Sequence, residues 1–174
     1  AAVESGAALV NDVSGLTFDP DLAPFCAKEN LPVCVMHSQG FPETMQDNPL
    51  YDDVVLDVYD FLDDQINRLN GQGIARNCII ADPGIGFGKS VAQNFEILRM
   101  QSLLLHLGRP IMVGWSNKSS LGAVSGLGVD QRLVPSVVAA VLAVERGARI
   151  LRVHAVAQTV AALSVWKADA GICD

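Results

Sequence analysis

Short apolar runs alternate along this chain with stretches of helical apolar spacing. The runs Ala8 to Asp12, Leu31 to His37, Cys78 to Asp82, Pro110 to Ser116 and Ile150 to His154 each end in polar residues, the pattern of short strands buried on both faces. From Leu50 to Leu69, Val54, Val55, Val58, Phe61, Leu62, Ile66 and Leu69 recur at three- and four-residue steps, while Asp52, Asp53, Asp57, Asp60, Asp63 and Asp64 take the other face. That spacing predicts an amphipathic helix, which Gly71 or Gly73 can end. Further helices are predicted over Asp21 to Asn30, Val91 to Leu107, Gln131 to Arg146 and Val156 to Ala168. The stripe Val134, Val137, Val138, Val141, Leu142 and Val144 is read as core. Strand–helix alternation of this kind predicts an α/β fold, a parallel sheet covered by helices, with ligands at the carboxyl ends of the strands.

Those ends carry Asn11, Asp12, His37, Asp82, Lys118, Arg152 and His154. The richest is Ala81-Asp82-Pro83-Gly84-Ile85-Gly86-Phe87-Gly88-Lys89-Ser90. A Walker loop ending at Gly88-Lys89-Ser90 would need glycine where Pro83 stands, and a dinucleotide fingerprint from Gly84 would need glycine where Lys89 stands. What is left is a carboxylate leaving a buried strand into a tight glycine turn. Its plainer alternatives are a helix cap or a structural strand-to-helix turn. Arg152 and His154, two apart on one predicted strand, face one side and suit an anion. Ser119 opens a helix N-terminus with a free hydroxyl, which favours a carboxylate, although Lys118 and Ser119 alone also fit a solvated turn. The three histidines lack close-spaced cysteine or carboxylate partners and make no transition-metal site. His37 is expected to shape the pocket, and His106 to be a surface or packing residue.

Composition narrows the class. The chain has 174 residues, half of them hydrophobic, enough for one core, and no linker or low-complexity stretch divides it. One domain, 1–174, is expected. Cys26, Cys34, Cys78 and Cys173 show no paired spacing, as in a reduced, cytoplasmic protein. No apolar run approaches the length needed to cross a membrane. A formal charge of −7 with scattered basic residues argues against a nucleic-acid surface. An anionic substrate still fits, because the local field of Lys118, Arg152 and His154 outweighs net charge.

Taken together and in order, Asn11-Asp12-Val13-Ser14-Gly15, Met36-His37, Thr44-Met45-Gln46, Asp82 to Lys89, Gly114 with Ser116 and Lys118, and Arg152-Val153-His154 resemble the dihydropteroate synthase family of pterin-binding enzymes. The similarity runs from the first residues to about Lys167. The resemblance implies a TIM (β/α)8 barrel of which about five βα units are present, with about the first three units missing. It also implies condensation of a dihydropterin methyl pyrophosphate with p-aminobenzoate in folate synthesis, releasing pyrophosphate, in a cytoplasmic transferase that is a homodimer when full length and a sulfonamide target.

By that resemblance Asn11 and Asp82 hold the pterin, Lys118 covers the ring's acceptor atoms, and Met36, Phe87 and Gly114 lie against its faces and edges. Ser119 lies where the aminobenzoate carboxylate binds, and Arg152 and His154 hold the pyrophosphate. Lys118, Arg152 and His154 are the implied catalytic residues. A carboxylate accepts the paired donors of a pterin's guanidine-like edge, and an amide satisfies a mixed edge. Magnesium is the implied cofactor, its protein ligand lying in the missing amino-terminal part. Two positions depart from the family pattern: Asn117 stands in place of arginine and Ala155 in place of aspartate. These two departures are expected to weaken the full-length protein, whereas the isolated chain, lacking the loops and the aspartate of the first three units, is expected to be inactive; the alternative reading is a non-catalytic or partner-dependent pterin-binding module.

Overall fold

A computed structural model describes residues 1–40, 45 and 49–172; Thr44, Gln46 and Cys173 lie outside the described residues. Five parallel strands stand side by side in chain order: β1 (Val10–Asp12), β2 (Val33–Met36), β3 (Ile79–Asp82), β4 (Ile111–Val113) and β5 (Ala148–Leu151). Between and after them run α1 (Leu22–Lys28), α2 (Val54–Gly71), α3 (Val91–Met100), α4 (Ser119–Ser125), α5 (Leu133–Glu145) and α6 (Val156–Asp169). Consecutive parallel strands joined by helices are successive units of a (β/α)8 barrel. The sheet is open, and β1 and β5 are its edges.

Strand alternation divides the core in two. Val33, Val35, Ile79, Ala81, Ile111, Val113 and Ala148 turn outward and pack under the helices. Cys34, Ile80 and Met112, with Ile150 against them, form a separate inner cluster. Because side chains alternate with period two, the next inward positions beyond that cluster are Met36, Asp82, Gly114 and Arg152. Asn11 pairs with Cys34 in register and shares the inward face. The sequence pattern thus places an apolar floor beneath a polar rim.

The long helix α2 forms as its spacing predicts. Asp53 caps it by accepting from the Val55 and Leu56 amides at 2.9 and 3.0 Å, and Val54, Val55, Val58, Leu62, Ile66 and Leu69 are buried. The helix predicted to Leu107 breaks after Met100 into a 3-10 stretch, Gln101–Leu107, closed by Gly108 at φ 63°.

The valine stripe of α5 is a correction. Ser136, Ala139, Ala140 and Ala143 are the buried residues, whereas Val134 and Val138 are 69% and 51% exposed. A helix apolar on every side carries no period to read, and the small residues win the inner face because they let the helix approach closely. Residues 2–6 form a run of turns. Finally, β5 ends at Leu151, so Arg152 and His154 follow the strand rather than lie on it.

Candidate functional site

The site grows from the carboxyl ends of the middle strands. Asp82 is the last residue of β3, and its side chain is only 2% exposed. Its Oδ1 accepts the Gly84 amide at 2.8 Å. Burial raises its pKa; the Gly84 hydrogen bond and the charges of Arg152, Lys89 and Lys118 oppose that shift. A buried carboxylate facing three cations without being ion-paired to any described one is poised to accept donors from something else.

The loop after Asp82 is fixed by close approach. Gly84 has φ +67°, and a Cβ there would overlap the His37 carbonyl oxygen and lie 2.9 Å from its carbon. Only glycine meets both demands. Lys89, 2% exposed, folds beneath the loop: its Nζ meets His37 Nδ1 at 2.8 Å and donates to the carbonyls of Gly84 at 3.0 Å and Phe87 at 2.9 Å. Burial lowers its pKa to about 7, with Asp82 opposing that shift and Lys118 adding to it. His37, buried and packed against the Phe61 and Tyr51 rings, is pushed down to about 3, by burial first and then by Lys89. The neutral ring thus accepts from the lysine and shapes the pocket.

Lys118 approaches from the far side. Its Nζ lies 4.2 Å from the centre of the Phe87 ring, and a Cβ on Gly86 would be 3.0 Å from its Cδ. Burial lowers its pKa, Arg152 adding to the shift and Asp82 opposing it. Gly114 makes room for Arg152, since a Cβ would sit 2.8 Å from Nη2. Met36 is buried beside Asp82's strand, and with Val13, Phe18 and Phe87 it lines a small apolar cleft.

The two ends of the sheet are looser. Asn11, Arg152, His154 and Ser119 are all exposed, although His154 Nδ1 meets Ser116 Oγ at 2.9 Å. Asn11, Met36, Asp82, Phe87, Gly114, Lys118 and Arg152 therefore converge on one inner mouth, while Ser119 opens α4 and His154 borders a second cavity. That cavity, about 270 Å³, is lined by Ser116, Asn117, Asp130, Leu133, Ser136, His154 and Ala155. A larger cavity, about 650 Å³, lies between β5 and α6, walled by Leu151, Val160, Leu163 and Trp166, and reaches Arg152. His106 is exposed, with Nδ1 3.0 Å from the Leu103 carbonyl oxygen. Among the described residues no group of three or more His, Cys, Asp or Glu side chains could hold a metal ion. The single carboxylate of the site already faces cations, so the implied magnesium has no donor set here.

A family model described as "Pterin binding enzyme" matches residues 1–154. The chain belongs to the pterin-binding enzyme family. Dihydropteroate synthase of Haemophilus influenzae is 44% identical over 169 residues, which are 97% of this chain and 61% of that protein. The Yersinia pestis dihydropteroate synthase, solved with a sulfonamide drug complex, superposes with a TM-score of 0.94 at 41% identity, covering 98% of this chain and 62% of that one. The Xanthomonas albilineans enzyme in complex with 7,8-dihydropteroate gives 0.91 at 40%, covering 99% and 63%; it has also been solved with 4-aminobenzoic acid. This pterin-binding enzyme chain thus spans about three fifths of the length of the relatives it matches, as five units of an eight-unit barrel should.

Sequence reasoning missed the groups that hold the site. Lys89 was visible only as the end of the glycine motif. Asn94, 1% exposed on α3, and Ser120 carried no signal, because a buried polar residue inside a helix looks like any solvated one until its partners are known.

Proposed function

We propose that this chain is the carboxyl-terminal part of a dihydropteroate synthase, supplying most of the pterin pocket and the groups that meet the leaving pyrophosphate. The observation that carries the reading is the buried Asp82 carboxylate, without an ion pair among the described residues, set between the Gly84 turn, Lys118 and Arg152. The pterin's ring NH and amino group donate to Asp82, and Asn11 satisfies the adjoining mixed edge. Met36 and Phe87 enclose the ring, Gly114 leaves space at its edge, and Lys118 donates to its acceptor atoms.

In the complete enzyme the C–O bond to pyrophosphate breaks heterolytically. The electron pair leaves with the pyrophosphate, whose developing charge Arg152 and His154 stabilise. The p-aminobenzoate nitrogen then closes the C–N bond on the cation-like methylene and gives its proton to solvent, while Ser119 at the start of α4 receives the aminobenzoate carboxylate. No covalent enzyme intermediate is needed. Magnesium, whose protein ligand would lie in the amino-terminal part, would add charge stabilisation in the full-length protein, which we take to be a homodimer.

The open sheet favours a second, narrower reading for the chain by itself: pterin binding without turnover. Excluding water and stabilising the leaving group count mainly in the transition state and need the remaining units, whereas the ring pocket is largely present. Calorimetry with 6-hydroxymethyl-7,8-dihydropterin tests the pocket: binding by the 174-residue chain that is lost in Asp82→Ala supports it, and equal affinity in the variant overturns it. Dihydropteroate formation by the 174-residue chain would overturn the fragment reading.

A further inference from the structure

Between the glycine loop that follows Asp82 and the helix that Lys118 precedes and Ser119 opens lies one buried amide. Asn94 Oδ1 accepts the Gly86 amide at 2.7 Å. Its Nδ2 donates to the Ser90 carbonyl at 2.8 Å, to the Lys89 carbonyl at 3.2 Å and to Ser120 Oγ at 3.1 Å. Asn94 therefore uses both ends of its side chain: both grip the glycine loop and the residues that follow it, and Nδ2 alone also reaches α4. Oδ1 holds the loop between Asp82 and Phe87. Nδ2 also holds α4 one residue after Ser119, where Ser120 is itself 2% exposed.

We propose that Asn94 is a positioning residue that couples the pterin side of the site to the aminobenzoate side, by fixing the glycine loop relative to the start of α4. Asn94 touches no substrate; it acts through Gly86, which packs against the Lys118 stem, and through Ser120. The assignment of the two sides rests on the functional reading above, but the mechanical link does not. A plain structural role would give each hydrogen bond a local effect. Coupling requires that a change on α4 be felt on the loop.

Ser120→Ala removes the hydroxyl on the α4 side and leaves Asn94 and Gly86 intact. If Asn94 couples the two sides, backbone hydrogen exchange at Gly86 speeds up about fivefold or more, the scale of one modest hydrogen bond. Asn94→Ala should deprotect Gly86 and Leu121 together. Asn94→Asp, which keeps the acceptor for Gly86 but loses the donors, should deprotect Leu121 alone. Should Asn94→Ala fail to fold, Ser120→Ala and Asn94→Asp decide the matter. Gly86 exchange unchanged in Ser120→Ala overturns the proposal. With 6-hydroxymethyl-7,8-dihydropterin added, protection should rise at Leu121 in the unsubstituted chain and not in Asn94→Asp; a rise of equal size in both also overturns it. Failure of the chain to take the pterin would sink the functional reading while leaving the ligand-free exchange result decisive.

Discussion

The middle and the ends of the sheet are built to different standards. At β3 and β4, Asp82, Lys89, Asn94, Ser116 and Ser120 are all less than 10% exposed, and the loop between them is tied by Gly84, Gly86 and Phe87 to Lys89 and Asn94. At the two edges, Asn11 stands exposed on β1, and Arg152 and His154 stand exposed just after β5. Under the proposed function the middle takes a flat ring, which demands fixed partners in a dry pocket, and the ends take a solvated anion. The central pocket is therefore organised in the chain as it stands, and the anion end acquires its order from neighbours.

Glycine substitutions break this comparison most severely. In Gly84→Ala the new methyl runs into the His37 carbonyl at a left-handed φ, so the loop must move, at a cost of about 3 kcal/mol or more. Gly126→Ala, also at positive φ but with nothing within 4 Å of a Cβ, should lose only about 1 kcal/mol. Thermal or urea unfolding reads both, and equal losses would refute the claim that the middle is the rigid part. Next in size is recognition. Asp82→Asn keeps an acceptor for Gly84 but forfeits the paired acceptance of the ring donors, at roughly 1–3 kcal/mol of pterin affinity. His154→Ala should leave the affinity for a pterin lacking pyrophosphate nearly unchanged. Calorimetry showing the reverse ranking would move the ring to the β5 end.

The same contrast governs what could be read from sequence. All five strands were legible because apolar runs ending in polar residues leave little ambiguity, and α2 because its aspartates mark the solvent face. Asp82 was legible because Pro83 and three glycines follow it. The α5 core face was not, since valines on every side hide the Ala139 and Ala143 that pack inward. Lys89 and Asn94 were not, because their worth lies in partners contributed by distant segments: His37 for the first, Ser120 for the second. Sequence pattern carries solvent exposure and turn chemistry well, and buried polar pairing poorly.

Acid should loosen the middle before the ends. His37 has its folded pKa pushed down to about 3 from an ordinary 6.5, so between those values the unfolded chain binds the proton more readily and stability falls as pH falls from 6.5 towards 3. The window is worth on the order of 5 kcal/mol. Lys89 acts in the same direction higher up: with its pKa lowered to about 7, stability rises from about pH 7 towards the pKa of an ordinary lysine. Substituting His37→Gln should flatten the acid limb of a stability–pH profile while leaving the alkaline rise. An acid limb unchanged by that substitution would remove His37 as its cause.

The smallest expected effect concerns the second cavity, beside His154. Asn117 and Ala155, where the resemblance leads one to expect arginine and aspartate, both line it. Asn117 holds φ 60°, with its amide donating to Ser136 Oγ at 3.0 Å and its carbonyl accepting from Arg132 Nη1 at 3.0 Å. Asparagine tolerates that left-handed backbone better than arginine does, so Asn117→Arg alone should cost up to about 1 kcal/mol. Ala155→Asp alone adds a carboxylate to a cavity already lined by Asp130 and should also destabilise slightly. Made together, the two new side chains face one another across the cavity as an ion pair, and the double variant should be more stable than the sum of the single losses by about 0.5 kcal/mol. Strict additivity in a double-mutant cycle of unfolding free energies would show that the two positions, though they share a cavity, act independently, and that the looseness of the β5 end extends to its side-chain pairing.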